Sequence, residues 1–186
     1  MTISDDDTPS SPSTYNIPGS PNTPETPSNP VTRMGNARSD RLLGTSVNEV
    51  LVGLRGNDTV QGDVGADTLI GVDPNTRKPG VCERDVLMGN EGANVFVLGN
   101  AQSVFYNDGN RATVGLQDYA LIKDFNASSD RIQLHGRRSN YHLGAAPQGT
   151  PKGIGIFLEN GRTDELIAIA QGQRNLRLTN STFQFV

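Results

Sequence analysis

The sequence is poor in the residues that build a covalent framework or a large apolar interior. It has one cysteine, Cys82, no tryptophan and only 5% aromatic residues in a chain of 186. A single cysteine excludes an internal disulfide framework. A hydrophobic content of 34% argues against a large conventional core. The fold is therefore expected to depend on a source of stability other than disulfides and an extensive interior.

Charge of one sign and long apolar runs are also scarce. The formal net charge of −4 gives no electrostatic footprint for nucleic acid or an anionic membrane surface. No run approaches the roughly 20 apolar residues that a membrane helix requires. The start, MTISDDDTPSS, has neither a basic segment nor an apolar run, so a signal peptide of the usual kind is not expected. These absences favour a soluble chain with no nucleic-acid partner and no membrane span.

Residues 1–32 have the composition of a tail. They hold seven of the eleven prolines among Ser, Thr, Asn and Asp. Such a segment has too little apolar surface to offset the entropy lost on ordering. We predict a disordered tail or linker over 1–32.

Glycine recurs every nine residues in the segment that follows. The spacing holds at Gly35, Gly44, Gly53, Gly62, Gly71, Gly80 and Gly89. The sixth position of each unit is mostly acidic: Asp40, Glu49, Asp58, Asp67, Thr76, Asp85 and Asn94. The eighth is mostly apolar: Leu42, Leu51, Val60, Leu69, Lys78, Leu87 and Phe96. A short fixed period predicts a solenoid, in which stacked units align their apolar residues in one interior row.

The unit that begins at Gly71 keeps the spacing but loses both the acidic and the apolar residue, which are replaced by Thr76 and Lys78. We interpret residues 71–80 as a loop that bulges from a solenoid spanning 33–98. Its length would keep the following Asp85 and Leu87 in phase with the earlier units.

Glycine and aspartate in this pattern indicate a cation site. Glycine permits tight or left-handed turns that leave carbonyl oxygens free, and a carboxylate follows at a fixed distance. Carbonyls and carboxylates are the ligands of Ca²⁺, which takes six to eight oxygens at about 2.3–2.6 Å. One turn supplies too few, but two stacked turns can hold an ion between them. The candidate ligands are Asp58 and Asp67 in their intact glycine context, together with Asp40, Asp85, Gly53, Gly56, Gly62 and Gly65. The alternative is that each aspartate only hydrogen-bonds its own turn.

The pattern resembles the RTX, or haemolysin-type, calcium-binding nonapeptide G-G-x-G-x-D-x-U-x, whose fold is a parallel β-roll. The resemblance covers residues 35–97. It implies two units per coil, with Asp40 and Asp58 in one column of turns and Glu49, Asp67 and Asp85 in the other. It also implies export by a type I secretion machinery and a secreted, extracellular protein that folds when it meets Ca²⁺. The second glycine of the family motif is missing here, and Leu54 and Asp63 stand in its place in the best-conserved units.

Residues 99–186 alternate polar and apolar residues, which predicts strands. The segments YALIKDF, DRIQLHG, GIGIFLEN, DELIAIAQ, NLRLT and TFQFV carry the pattern, and Asn160-Gly161 is a strong hairpin signal. The segments from DYALIKDF onward are similar to the region that follows the repeats in RTX proteins, including cyanobacterial ones. The predicted fold is therefore all-β: a parallel β-roll followed by a small antiparallel C-terminal cap over 99–186. The cap would shield the last coil edge and could carry a cell-surface or protein partner.

No sequence motif of a hydrolase, zinc enzyme or phosphate-binding loop occurs, so a non-enzymatic calcium-binding protein is expected. Two alternatives stay open. One is a calcium-independent solenoid that serves surface adhesion or assembly with decayed metal sites. The other is an enzyme that uses Asp124, Asp130 and His135, which would require these three side chains to converge in a pocket.

Overall fold

The structure, a computed structural model, describes residues 30–179 and 181–186. Almost all of the predicted tail lies outside the described residues. Val31 and Thr32, its last two residues, lie in the first strand.

Short strands make up the regular structure of the described residues, joined by turns and one 3₁₀ turn at Arg138–Asn140. In chain order the strands are β1 (Val31–Met34), β2 (Arg41–Leu43), β3 (Glu49–Val52), β4 (Thr59–Gln61), β5 (Thr68–Ile70), β6 (Arg84–Met88), β7 (Val95–Val97), β8 (Tyr119–Ile122), β9 (Arg131–Leu134), β10 (Tyr141–Ala145), β11 (Gly153–Leu158), β12 (Glu165–Gln171) and β13 (Phe183–Phe185).

Successive strands of the repeat region enter two different sheets. One sheet has the order β1-β3-β5-β7-β9-β13, and the other has the order β10-β11-β12-β8-β6-β4-β2. From β1 to β9 all pairings between neighbours are parallel. Each coil thus gives one strand to each sheet. This topology confirms the predicted all-β fold with a parallel β-roll.

The apolar residue at the eighth position of each unit forms the interior of the roll. Leu51 lies opposite Leu69 and Leu69 opposite Phe96 in one sheet, and Val60 lies opposite Leu87 in the other. All five side chains are fully buried. Burying one such side chain contributes about 1.5–3 kcal/mol. Because each coil adds few of these residues, the interior is a narrow row.

The unit that begins at Gly71 adds no strand to the roll. The chain between Ile70 and Arg84 is irregular, and β6 pairs directly with β4. Asp85 therefore lies in the same column as Asp58, whose amide it binds. Our assignment of Asp85 to the column of Glu49 and Asp67 was wrong, because it counted the inserted unit as half a coil.

The roll continues after the glycine spacing ends. β8 pairs in parallel with β6, which places Ile122 opposite Leu87, and β9 pairs in parallel with β7, which places Ile132 opposite Phe96. Ile122 and Ile132 are fully buried. The interior row is therefore maintained by residues that the nine-residue period does not predict.

The C-terminal strands extend the same two sheets. β10, β11 and β12 pair antiparallel, and Gly161 in the predicted hairpin has a φ of 77°. β12 then pairs in parallel with β8, and β13 pairs in parallel with β9. The last coil of the roll is thus covered in both sheets. Within the described ranges, no helix is long and apolar enough to cross a bilayer.

The predicted strand in NLRLT is wrong, since residues 175–179 form none. Leu176 is buried in the core, so its alternation with polar residues reflects packing without strand pairing. Conversely, β10 was not predicted. Its sequence, YHLGA, shows too little alternation to stand out.

Candidate calcium-binding turns

The acidic sixth positions form two hydrogen-bonded columns along the roll. The Asp58 column contains Asp40, Asp58 and Asp85; the Asp67 column contains Glu49, Asp67, Asn94 and Asp130. In each column the side chain of one coil accepts a hydrogen bond from the backbone N–H of the sixth residue one coil earlier. The donor–acceptor distances are 2.7 Å for Asp40 to Asp58 and Asp58 to Asp85, 2.8 Å for Glu49 to Asp67, and 3.0 Å for Asp67 to Asn94 and Asn94 to Asp130.

The ladder accounts for one of the two oxygens of Asp58, Asp67, Asp85 and Asp130. The sixth residue lies at or beside the start of its strand, and its backbone N–H needs an acceptor there. A side chain with an acceptor at this position supplies that partner. The spacing of aspartates therefore has a structural role that does not require a metal, but the ladder bonds run to the preceding coil. The bond to the aspartate's own turn, which the alternative proposes, occurs at Asp40, which accepts from the Asn36 amide.

The second oxygen of Asp58 and of Asp67 has no such explanation. Both side chains belong to residues that are only 1% exposed, and Oδ2 of each is buried without a hydrogen-bond partner. A buried carboxylate oxygen without a partner is costly, and such groups are normally paired or coordinate a metal. The two carboxylates of the best-conserved units thus each offer a free oxygen.

Glycine at the first position brings a second oxygen beside each free one. A Cβ on Gly62 would lie 2.5 Å from Oδ2 of Asp67 and 2.8 Å from the carbonyl oxygen of Gly89 in the next coil. A Cβ on Gly53 would meet the corresponding pair, Oδ2 of Asp58 and the carbonyl oxygen of Gly71. Carboxylate and carbonyl oxygens from two coils therefore converge where a side chain would stand, and this donor set fits a hard cation.

Glycine at the fourth position allows the turns to stack. Gly56 and Gly65 have φ values of 121° and 142°, which side chains rarely adopt. A Cβ on Gly56 would collide with the backbone of Arg38, and one on Gly65 with the backbone of Val47, each one coil earlier. Both glycines are thus required for the close stacking of turns that brings the oxygens together.

The second position keeps the left-handed turn without glycine. Leu54, Asp63 and Asn90 have φ values of 77°, 75° and 58°. A left-handed residue with a Cβ costs roughly 1–2 kcal/mol, and Asn and Asp tolerate it better than Leu. The departure from the family motif therefore changes the stability of the turn and not its shape.

The remaining acidic candidates have both oxygens engaged by the chain. Asp40 accepts hydrogen bonds from the backbone and side chain of Asn36. Glu49 accepts from the Thr45 amide and from Arg33, which also forms an ion pair with it at 2.5 Å. These contacts leave less capacity for a cation than Asp58 and Asp67 have.

Asp85 is engaged by a tyrosine that sequence reasoning missed. The hydroxyl of Tyr106, a fully buried residue, donates a 2.6 Å hydrogen bond to Oδ2 of Asp85. The hydroxyl lies beside Gly71 together with Oδ2 of Asp85. It takes the place that a carbonyl oxygen of the next coil has beside Gly53 and Gly62. Burial raises the pKa of Asp85 to about 7. Tyr106 follows the repeats by a long irregular segment, so no spacing in the sequence indicates this contact.

Glu83 is a further acidic group in the Asp58 column that the sequence analysis did not select. Its Oε1 accepts a 3.1 Å hydrogen bond from the Gly56 amide, and its Oε2 is buried without a partner. It occupies the fourth position of the unit that begins at Gly80, and this position was the available signal. Glu83 raises the local density of negative charge near Asp58.

The electrostatics of the two columns favour a positive ion. The pKa of Asp58 is raised to about 6, chiefly by burial and also by the negative charges of Asp40 and Glu83, against the lowering effect of the ladder hydrogen bond. Burial also raises the pKa of Asp67, with Glu49 and Asp63 adding to the effect. Among residues 30–179 and 181–186, no basic side chain forms an ion pair with Asp58 or Asp67 to compensate its negative charge.

The three residues of the enzyme alternative contact different parts of the backbone. Asp124 accepts from the amides of Gly89 and Asn90, and Asp130 accepts from those of Asn94 and Asn126. Nδ1 of His135 lies 2.6 Å from the carbonyl oxygen of Asn100. Within the part of the chain that the structure describes, the polar atoms of the three side chains are thus engaged by separate backbone groups and do not converge.

A family model agrees with the geometry of the turns. Residues 43–72 match the RTX calcium-binding nonapeptide repeat, a model of four copies. The matched segment includes Glu49, Asp58 and Asp67 and all four candidate glycines. No curated protein sequence matches the chain.

One solved structure described below shares the fold. The chain is similar to the AlgE6R2 subunit of the Azotobacter vinelandii mannuronan C5-epimerase, with 22% identity, a TM-score of 0.58 and coverage of 87% of this chain and 96% of that one. The AlgE6R3 subunit of the same epimerase matches with 25% identity, a TM-score of 0.45 and coverage of 81% and 76%. The fold shared with the AlgE6R2 subunit and the repeat match over residues 43–72 together show a parallel β-roll that carries a segment similar to the RTX calcium-binding nonapeptide repeat.

Proposed function

We propose that the chain binds Ca²⁺ between stacked turns, with Asp58 holding an ion in one column and Asp67 holding an ion in the other. The observation that carries this proposal is the buried Oδ2 of each carboxylate, which has no partner and faces a carbonyl oxygen of the next coil. Gly53 and Gly62 keep that space open, and Gly56 and Gly65 allow the coils to approach. The oxygens of Asp40 are engaged by Asn36 in its own turn, and those of Asp85 by the ladder and by Tyr106, so we assign neither an ion of its own.

Calcium would supply the positive charge that the two carboxylates lack. An ion that binds only the folded state stabilises it by mass action, by about 2.7 kcal/mol at 100 times its Kd. The unfolded chain holds no equivalent set of oxygens. With a narrow interior row as the main apolar contribution, we expect the roll to depend on this stabilisation.

The similarity to RTX repeats supports a secreted role. We propose that the chain is exported by a type I machinery, stays loosely folded where calcium is scarce and completes its fold in a calcium-rich extracellular medium. The cap covers the last coil through the pairs β12–β8 and β13–β9, and its outer surface is the proposed place for a cell-surface or protein partner.

A second candidate is a calcium-independent solenoid for adhesion or assembly. It is favoured by one observation: the ladder uses Oδ1 of each carboxylate to satisfy backbone groups without a metal. On this reading the aspartates would be retained for the ladder alone.

Calorimetric titration with Ca²⁺ separates the two candidates. The test variant is Asp58→Asn/Asp67→Asn, in which the amide oxygen preserves the ladder while the free carboxylate oxygen is lost. Asn94 occupies the same position naturally, so the substitution fits the turn. Asp164→Asn, at a half-exposed carboxylate outside both columns, is the control. We expect the double variant to lose two equivalents of bound calcium. Unchanged stoichiometry would leave the calcium-independent solenoid as the better account.

A further inference from the structure

A group of carboxylates outside the repeats forms a second kind of site. Asp108, Asp118 and Glu165 each place one oxygen so that the three atoms lie within 4.8 Å of one another. Asp118 immediately precedes β8, and Glu165 is the first residue of β12, which runs parallel to β8. Asp108 lies on the segment between β7 and β8. The three residues thus connect the roll, the cap strand and the intervening segment.

The two inner carboxylates are buried with free oxygens. Asp118 is 1% exposed, and among the described residues neither of its oxygens has a partner in full hydrogen-bond geometry, although the Cys82 amide is close enough to lower the pKa of Asp118. Glu165 is fully buried, and its Oε2 has no partner, while its Oε1 accepts a long 3.4 Å hydrogen bond from the Asp108 amide. Three buried carboxylate oxygens without partners at one point are a costly arrangement in a folded protein.

The fold shapes the space around Glu165 and does not fill it with a cationic side chain. Gly115 has a φ of 71°, and a Cβ there would lie 2.7 Å from Oε1 of Glu165. Lys78 donates a 2.7 Å hydrogen bond to the backbone carbonyl oxygen of Asp108. Among the described residues, neither Asp118 nor Glu165 forms an ion pair with Lys, Arg or His. The charge of Lys78 lowers the pKa of Asp118, so it compensates the cluster only in part, and no described basic side chain forms an ion pair with either inner carboxylate.

We propose that Asp108, Asp118 and Glu165 bind one Ca²⁺ ion, at a site separate from the repeat turns. Three carboxylates provide the hard oxygen ligands that Ca²⁺ accepts in a flexible arrangement, with water completing its shell at half-exposed Asp108. Mg²⁺ requires a near-ideal octahedron and gives up its water reluctantly, so this set fits the larger ion better. Burial raises the pKa of Glu165 to about 7 and that of Asp118 to about 6, with Asp108 adding repulsion in both cases.

The site would fasten the cap to the roll. Its ligands come from both members of the β8–β12 pair, which is the pair that joins the roll to the C-terminal hairpin. An ion there would also hold the segment between β7 and β8 through Asp108. This role does not depend on whether the repeat turns bind calcium.

The test is calorimetric Ca²⁺ titration of the full chain and of two single variants, Asp118→Asn and Glu165→Gln. Asp164→Asn is the matched control, because it is adjacent to Glu165 in sequence but half-exposed and paired with His142. We expect each test variant to lose one equivalent of bound calcium and the control to lose none. Wild-type stoichiometry in both test variants would overturn the proposal, as would equal binding of Mg²⁺ to the site.

A second measurement keeps the test independent of the repeat sites and of impaired folding. In Asp58→Asn/Asp67→Asn, hydrogen exchange is followed at residues 107–118 and 165–171 with and without Ca²⁺. We expect calcium to slow exchange in both segments of this variant, and one equivalent to remain bound. Exchange that calcium does not change in either segment would refute the site even if the single variants failed to fold.

Discussion

Replacing Asp58 by Asn should have opposite effects on stability in the presence and absence of calcium. Without the ion, the buried Oδ2 of Asp58 is a negative charge with no partner, close to Asp40 and Glu83. Asn keeps the ladder hydrogen bond to the Asp40 amide and removes that charge. With the ion, the same substitution removes a ligand. In chelator the variant should therefore be more stable than the wild type, and in millimolar calcium it should be less stable.

The size of the effect in chelator follows from the pKa of Asp58. Burial raises it from 3.8 to about 6, and one pKa unit corresponds to about 1.4 kcal/mol, which sets an upper value of about 3 kcal/mol. Water near the turn screens part of this, so we expect about 1–2 kcal/mol. Because the folded state holds the proton more tightly than the unfolded chain, this contribution is fully present below pH 3.8 and is lost as pH rises through about 6. The gain from Asn should thus be small near pH 4 and complete near pH 8.

Urea unfolding followed by circular dichroism measures the effect. Wild type and Asp58→Asn are compared near pH 4 and pH 8, each with chelator and with calcium. A variant that is less stable than the wild type at pH 8 in chelator would refute the unpaired-charge argument. A variant that matches the wild type in calcium would refute the role of Asp58 as a ligand.

Three other changes test separate features of the roll. Leu54→Gly should stabilise the protein by up to about 1 kcal/mol in thermal unfolding, because Leu54 has a φ of 77° and glycine removes the left-handed strain; a lower melting temperature would contradict this. Asn94→Asp should add one equivalent of bound calcium in a titration. The buried Nδ2 of Asn94 has no partner among the described residues, and it lies in the position that Oδ2 of Asp67 has one coil earlier. Unchanged stoichiometry would count against the column model. Tyr106→Phe should lower the free energy of unfolding by about 1–3 kcal/mol, because Oδ2 of Asp85 loses its hydrogen-bond donor. In urea unfolding the decrease should be larger at pH 8 than at pH 5. A neutral effect at both pH values would show that the hydroxyl does not stabilise that carboxylate.

The local pattern was sufficient to predict the coil and its interior. Gly at the first position, an acid at the sixth and Leu, Val or Phe at the eighth define a turn followed by a short strand, and each of these requirements is met within nine residues. The buried rows through Leu51 and Val60 follow directly from that period. The strands of the C-terminal region were predicted where alternation coincided with pairing, as in β11 and β12, and were wrong where it did not, as around Leu176.

The sequence could not predict which oxygen of each acid remains free, because that depends on groups distant along the chain. Asp85 and Asp58 look alike in sequence, yet the hydroxyl of Tyr106 reaches one of them and not the other. The column in which Asp85 lies depends on the inserted unit that begins at Gly71. That unit adds nine residues but no strand, so β6 pairs directly with β4. Asp118 and Glu165 become neighbours only because β12 pairs beside β8.

The amino-acid sequence by itself determined the repeating unit, since glycine conformation, carboxylate capping and apolar burial all act over a few bonds. The tertiary structure alone decided where negative charge is left without a partner. Electrostatic and hydrogen-bond partners act through space, and the stacking order of the coils and the return of the C-terminal strands determine which groups meet.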